Sequence, residues 1–400
     1  MRNKHMITVL FLILLLAGCG LEKQAPIKVG ILHSLSGEMA SSERPVVDAL
    51  LLAIEKINAK GGLLGRKLVP VMADGASSNE HFSREARRLI VEEQVAVIFG
   101  CWTSASRRAV KSVVEQYQNL LFYPLPHEGL EQSPNIVYTG AVANQQVVPS
   151  LHWALQNIGQ QVYLLGTDER YPRSVNLIIK DLLANRDIKP LAERYLPPGS
   201  TNLKAVMAEI TQLKPNLIIN TLRGASNGAF FEALQGNRSA KVLSYSIGEP
   251  EVQAIGWQFM QGHYAAFHYF QSIQRQQNRD FVAAFKQKFG QQRLLNAPME
   301  AAYVGVYLWA QAVANAVTTT ASRVKTVLAY QSFNAPSGVV SIDGATQHLW
   351  QKLRIGRVLA NGQFDIVWQS AAVIRPEPYP KYYDTQQWQA RMKNLGDRHE

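Results

Sequence analysis

The stretch from Val95 to Pro126 limits the possible folds of this chain more than any other. Val95-Ala96-Val97-Ile98-Phe99 is a continuous apolar run of the kind a parallel sheet buries on both faces. Gly100 to Ser104 makes a turn, with Ser104 as the expected N-cap, and Val110, Val113, Val114 and Tyr117 then recur at helical spacing. A second apolar run, Leu120 to Tyr123, is stopped by Pro124 and Pro126. Strand, helix and strand in that order predict a βαβ unit. In open α/β sheets small ligands sit beyond the carboxyl ends of the strands, where helix N-termini offer free N–H groups. Trp102, Thr103, Ser104 and Tyr123 fall at that place.

The same alternation runs through most of the chain and predicts an α/β fold with parallel sheets. Ile27 to Leu32 reads as the first strand, and Val46, Leu50, Ala53, Ile54 and Ile57 form a helical face closed by Gly61-Gly62. Leu68 to Met72 is a second strand. From Gln145 the pattern restarts, with strands expected at Val162, Ile188, Leu217 and Val242 separated by helices, so the second lobe should resemble the first. Beyond Gly262 helices dominate, one with Phe281, Phe285 and Phe289 and one from about Pro298 to Val317. Short strands return near Gly338, Leu353 and Phe364. Gln271 to Gln277 reads as a solvated turn.

The N-terminus carries Arg2 and Lys4, an apolar stretch from Met6 to Leu16, and then Leu16-Ala17-Gly18-Cys19. The apolar run is shorter than the roughly 20 residues of a spanning helix, and small residues precede the cysteine as in a bacterial lipoprotein signal. Residues 1–18 are therefore expected as signal peptide, Cys19 as the lipidated residue and residues 19–26 as a tether. Cleavage leaves 382 residues, which suggests two lobes. Cys101 is the other cysteine, so packing rather than a disulfide must stabilise the fold, and it reads as a small buried filler. The net charge of +11 is spread without basic runs or a basic-aromatic stripe, which argues against a nucleic-acid partner and for a solvated surface.

Several short runs narrow the reading. Gly100-Cys101-Trp102-Thr103-Ser104, Arg107-Arg108-Ala109-Val110, Tyr123-Pro124, Glu128-Gly129 and the run from Ser133 to Gly140 resemble the urea and short-amide binding branch of type I periplasmic solute-binding proteins. Asn144-Gln145-Gln146, Asp168 with Tyr171-Pro172-Arg173, and Gly262 to Ala266 are similar to it as well. The resemblance implies two Rossmann-like lobes joined by three hinge crossovers, near Gly140–Asn144, Tyr264–His268 and Gly338–Ile342. Lobe 1 would hold residues 27–141 and about 267–337. Lobe 2 would hold 142–266 and about 338–375, with 376–400 as a C-terminal extension. It further implies a lipid-anchored protein on the periplasmic side that binds urea, a short amide or a related nitrogen compound, without enzymatic activity or cofactor. Its partners would be an ABC permease with a separate ATPase, or a sensor kinase. A branched-chain amino acid binder and a signalling sensor are the alternatives.

The implied ligand residues are Trp102, Thr103, Ser104, Tyr123, Leu125, Glu169, Tyr171, Arg223 and Glu249. Relative to the branch's amide sensor, Trp102 stands for a tyrosine, Leu125 for a threonine and Glu169 for a tyrosine. Such a pocket has lost hydroxyls and gained a carboxylate, which would favour donor-rich or cationic ligands. Glu249 could hold a ligand ammonium or cap a helix. Gly224-Ala225-Ser226-Asn227-Gly228 satisfies the nucleophile-elbow pattern and is followed by Asp280 and His348, but no oxyanion loop precedes it, so it reads better as a cleft loop than as a serine hydrolase. Scattered histidines, His33, His127, His263, His268 and His348, do not suggest a metal site and read mostly as surface or satisfied groups.

Overall fold

A computed structural model describes residues 25–394 apart from 238 and 382. The signal segment and Cys19 lie outside the described residues. The first half runs β1 (Ile27–His33), α1 (Ala40–Ala59), β2 (Leu68–Asp74), α2 (Asn79–Val91), β3 (Ile98–Gly100), α3 (Ser104–Gln116), β4 (Leu121–Tyr123) and β5 (Ile136–Tyr138). The second half begins with α4 (Ala143–Asn157), β6 (Val162–Thr167), α5 (Arg170–Ala184), β7 (Ala192–Leu196), α6 (Lys204–Leu213) and β8 (Leu217–Thr221). It continues with α7 (Ala225–Leu234), β9 (Lys241–Ser244), α8 (Glu249–Ile255), α9 (Trp257–Met260) and β10 (Tyr264–Phe267). The remainder comprises α10 (Gln276–Phe289), α11 (Ala297–Ala316), α12 (Ala321–Leu328), β11 (Ser332–Ala335), β12 (Gly338–Ile342), β13 (Leu349–Trp350), β14 (Arg354–Val358), β15 (Phe364–Gln369) and α13 (Thr385–Asn394).

Two main sheets result. The first has the order β2-β1-β3-β4-β5 and is parallel throughout. The second has the order β15-β14-β10-β9-β8-β6-β7, parallel from β10 to β7 and antiparallel at β14 and β15. Side-chain alternation explains why each is covered on both sides. Ile98, Leu121 and Ile136 enter one apolar cluster, while their neighbours Phe99, Phe122 and Val137 enter another. Val162, Leu164, Leu217 and Leu243 likewise part from Tyr163, Leu165, Ile218 and Val242. The alanine-rich α11 packs along α1 and against β3 and β4, its small side chains allowing close approach. Gly61 and Gly62 follow α1 at φ values of 102° and 85°, a conformation that glycine adopts without strain.

Several local expectations need correction. The strand expected at Ile188 forms instead at Ala192–Leu196, because Asp187 turns at positive φ and residues 188–191 lead into the pairing with β6. Pairing at β3 begins at Ile98, not Val95. The N-cap of α3 is Thr103, whose hydroxyl accepts from Ser106 N at 3.0 Å, and Ser104 is the first helical residue. The expected third crossover strand, Gly338–Ile342, is the middle of a small antiparallel sheet β11-β12-β13, fixed to the edge of the first sheet where Tyr138 bridges His348. Within the expected C-terminal extension, Trp388 is fully buried and Arg391 grips Asp181 of α5. His33, His127, His268 and His348, read as surface or satisfied groups, are buried, each with a polar contact.

Candidate ligand-binding site

A cavity of about 480 Å³ lies between the two main sheets. Its position follows from strand order. In the first sheet the order reverses between β1 and β3, and in the second between β6 and β8; loops diverge there and leave a crevice at the carboxyl ends of the strands. From the first lobe come Met39, Ser41 and Ser42 after β1, Trp102 after β3, and Leu125 and Pro126 after β4. The second lobe adds Tyr171 after β6, Arg223, Gly224 and Asn227 after β8, and Tyr245, Ser246 and Glu251 after β9.

Trp102 is held by its backbone. Gly100 hugs β1 so closely that a Cβ there would lie 2.0 Å from the Leu32 carbonyl oxygen, and Cys101 turns at φ 68°. Trp102 N then donates to Ser106 Oγ, and the Tyr123 hydroxyl donates to the Trp102 carbonyl at 2.7 Å. The indole is thereby aimed at the cavity, while Tyr123 stands behind it as a buried support. Leu125 and Pro126 are fixed from below by Gly140, where a Cβ would lie 1.9 Å from the Leu125 carbonyl oxygen.

On the facing wall, Arg223 N donates to Thr167 Oγ1 at 3.0 Å, which ties the loop after β8 to the end of β6. The Arg223 guanidinium lies 5.4 Å from the centre of the Tyr171 ring, and its Nε is 3.6 Å from Glu169 Oε2. Among the described lining residues Arg223 is the cation. Glu251 closes the floor with Oε2 accepting from Gly248 N, and Asn296 Nδ2 reaches its Oε1 from the first lobe at 3.5 Å. Burial raises the Glu251 pKa above the ordinary carboxylate value.

The remaining nominated residues sit outside the lining. Thr103 caps α3. Ser104 donates its hydroxyl to Glu128 at 2.8 Å, and Glu128 also pairs with the fully buried Arg107, which reaches Glu131 as well. This buried network extends toward the second lobe, since Arg170 Nε lies 3.8 Å from Glu128. Glu249 is wholly buried, its Oε1 accepting from Gln271 N at 2.6 Å, and burial pushes its carboxyl up to about 8. Gln271 is therefore a joint of the second crossover, not a solvated turn residue; its side chain also accepts from Leu295 N. Sequence reasoning missed Met39, Ser41 and Ser42, Tyr245, Phe267 and Asn296. The loops after β1 and β9 carried the available signal, as carboxyl ends of parallel strands.

Among the described residues no hydrolytic constellation forms. Ser226 is fully buried on α7, and His348 donates Nδ1–H to the Thr346 carbonyl while stacking on Tyr138 at 4.1 Å. Among the described residues there is no cluster of three or more metal-ligating side chains, and no helix is long and apolar enough to cross a membrane.

The fold and the inter-lobe cavity define a two-lobed small-molecule binding protein. Residues 27–385 match the family model of the periplasmic binding protein domain, and the chain belongs to that family. It is a solute-binding protein rather than an enzyme. A Leu/Ile/Val-binding protein homolog 7 from Brucella melitensis biotype 1 is 25% identical over 72% of this chain and 77% of its own length. A limonene hydroxylase from Geobacillus stearothermophilus is 33% identical over 31% of this chain, and the match spans 23% of that protein. Among solved structures, a solute-binding protein of an ABC transporter from Rhodopseudomonas palustris BisB5, in complex with 3,4-dihydroxybenzoic acid, superimposes with a TM-score of 0.80. It is 21% identical, covering 88% of this chain and 99% of its own.

Proposed function

We propose that this protein is a lipid-anchored capture subunit that delivers a small organic acid or amino acid to an ABC permease, with the ligand carboxylate on Arg223. Arg223 lines a cavity walled by Trp102, Leu125, Tyr171, Tyr245 and Phe267, and that observation carries the reading. A guanidinium beside aromatic walls suits a planar or branched apolar body with one anionic end. The Brucella relative, by its name, and the Rhodopseudomonas complex concern ligands of this chemistry.

Urea or a short amide is the second reading, favoured by the runs between Gly100 and Gly140. Most of those residues, Arg107, Glu128 and Tyr138 among them, build the buried framework and not the cavity wall. Urea is also small, on the order of two or three waters at about 30 Å³ each, against a cavity of about 480 Å³. Calorimetric titration with benzoate, leucine, urea and acetamide tests both readings. The expected outcome is binding of a carboxylate ligand that Arg223→Gln weakens by about ten- to a hundredfold, as loss of a charged hydrogen bond implies. Tight binding of urea or acetamide with none of benzoate or leucine would reverse the order of the two readings.

A further inference from the structure

We infer that Glu169 sets how strongly the cleft prefers a carboxylate over the matching neutral carboxamide; this rests on the placing of the ligand head at Arg223. Glu169 approaches Arg223 on the Nε edge at 3.6 Å, too far for a hydrogen bond, and its Oε2 makes none with any described residue. The carboxylate therefore lowers the field of the guanidinium without consuming its donors. The terminal nitrogens, which no described residue engages in a hydrogen bond, stay available to the cavity that Arg223 lines.

Other roles for Glu169 are not met by the geometry. It occupies the N-cap position of α5, yet its side chain makes no capping bond. The neighbouring Arg170 lies 3.8 Å from Glu128 of the first lobe. Glu169 and Arg223 are both largely shielded, with side-chain exposures of 27% and 18%, so their mutual field is only partly screened. A ligand carboxylate seated on the terminal nitrogens meets the attraction of Arg223 and the repulsion of Glu169 together. A neutral carbonyl oxygen accepts the same N–H groups and feels little of that repulsion. The pair thus trades anion affinity for tolerance of neutral ligands, and one chain can serve acids and amides by the identity of this residue.

The test is calorimetric titration of benzoate and benzamide into wild type, Glu169→Gln and Arg223→Gln. Glu169→Gln is expected to tighten benzoate by about tenfold and to move benzamide by less than about twofold. Equal shifts for the two probes, or weaker benzoate binding, overturn the inference. Unchanged benzoate affinity in Arg223→Gln removes the Arg223 reading and this inference with it. Weakened benzoate in Arg223→Gln beside an unaltered probe ratio in Glu169→Gln removes the inference alone.

Discussion

Individual residues here divide by whether their polar atoms are spent on the framework. Ser104 and Glu128 both lie in the runs that resemble amide binders, but each uses its oxygen on a buried partner, whereas Arg223 lines the cavity. Glu249 is a framework group whose burial carries a cost. Its carboxyl is pushed up to about 8 by burial, against an unfolded value of 4.5, so between those limits the native state binds the proton and the unfolded chain does not. The resulting stability is fully present below about 4.5 and is lost as the pH rises through 8. Glu249→Gln retains an acceptor for Gln271 N and needs no proton. It should flatten the fall in unfolding free energy across this window, which in wild type reaches about 1.4 kcal/mol per pH unit from this group. Denaturant unfolding at pH 5, 6.5 and 8 measures it, and parallel curves for the two proteins would exclude Glu249 as the source.

Among the elements, α11 and β14 are joined by a polar knot at the crossovers. Glu300 of α11 accepts from Ser337 N at 3.0 Å and contacts His268 Nε2 at 3.2 Å. Arg354 of β14 donates to the carbonyls of the same two residues, His268 and Ser337. Arg354 and Glu300 are each 5% exposed or less, and every bond in the knot ties a crossover to a rigid element. Arg354→Met removes both donors and leaves two buried carbonyls without them, each at about 1–3 kcal/mol. The expected result is a stability loss of about 2–5 kcal/mol and a broader spread of inter-lobe angles by small-angle scattering. A variant with wild-type stability and scattering would show that the crossovers are fixed elsewhere. Sequence reading found the strands on either side of this knot but not the knot itself, since its bonded partners lie 17 to 86 residues apart.

For the whole molecule, the two lobes are similar in plan and unequal in detail: five parallel strands face seven, and the small third sheet clasps the edge of the first at Tyr138. The proposed acyl anchor would keep this body near its permease. Cys19→Ala is then expected to move the protein from the membrane fraction to the soluble extracytoplasmic fraction, with ligand affinity unchanged; continued membrane association would argue against lipidation at Cys19.

The α/β class, the doubling of the pattern and most strand positions were readable because apolar alternation and helical spacing are local properties, enforced by burial on both faces of each sheet. Trp102, Leu125, Tyr171 and Arg223 were reachable by the same logic, as neighbours of strand carboxyl ends. Ile188 was misread as a strand because an apolar residue after a helix carries no mark of where pairing with β6 begins. Whether Ser104 or Trp102 meets the cavity depends on Glu128, 24 residues beyond Ser104, arriving to take its hydroxyl. Periodicity along the chain thus dictated which segments become strands and helices, while long-range packing determined which polar atoms were left free, because a side chain's partners are set by contacts that no local pattern encodes.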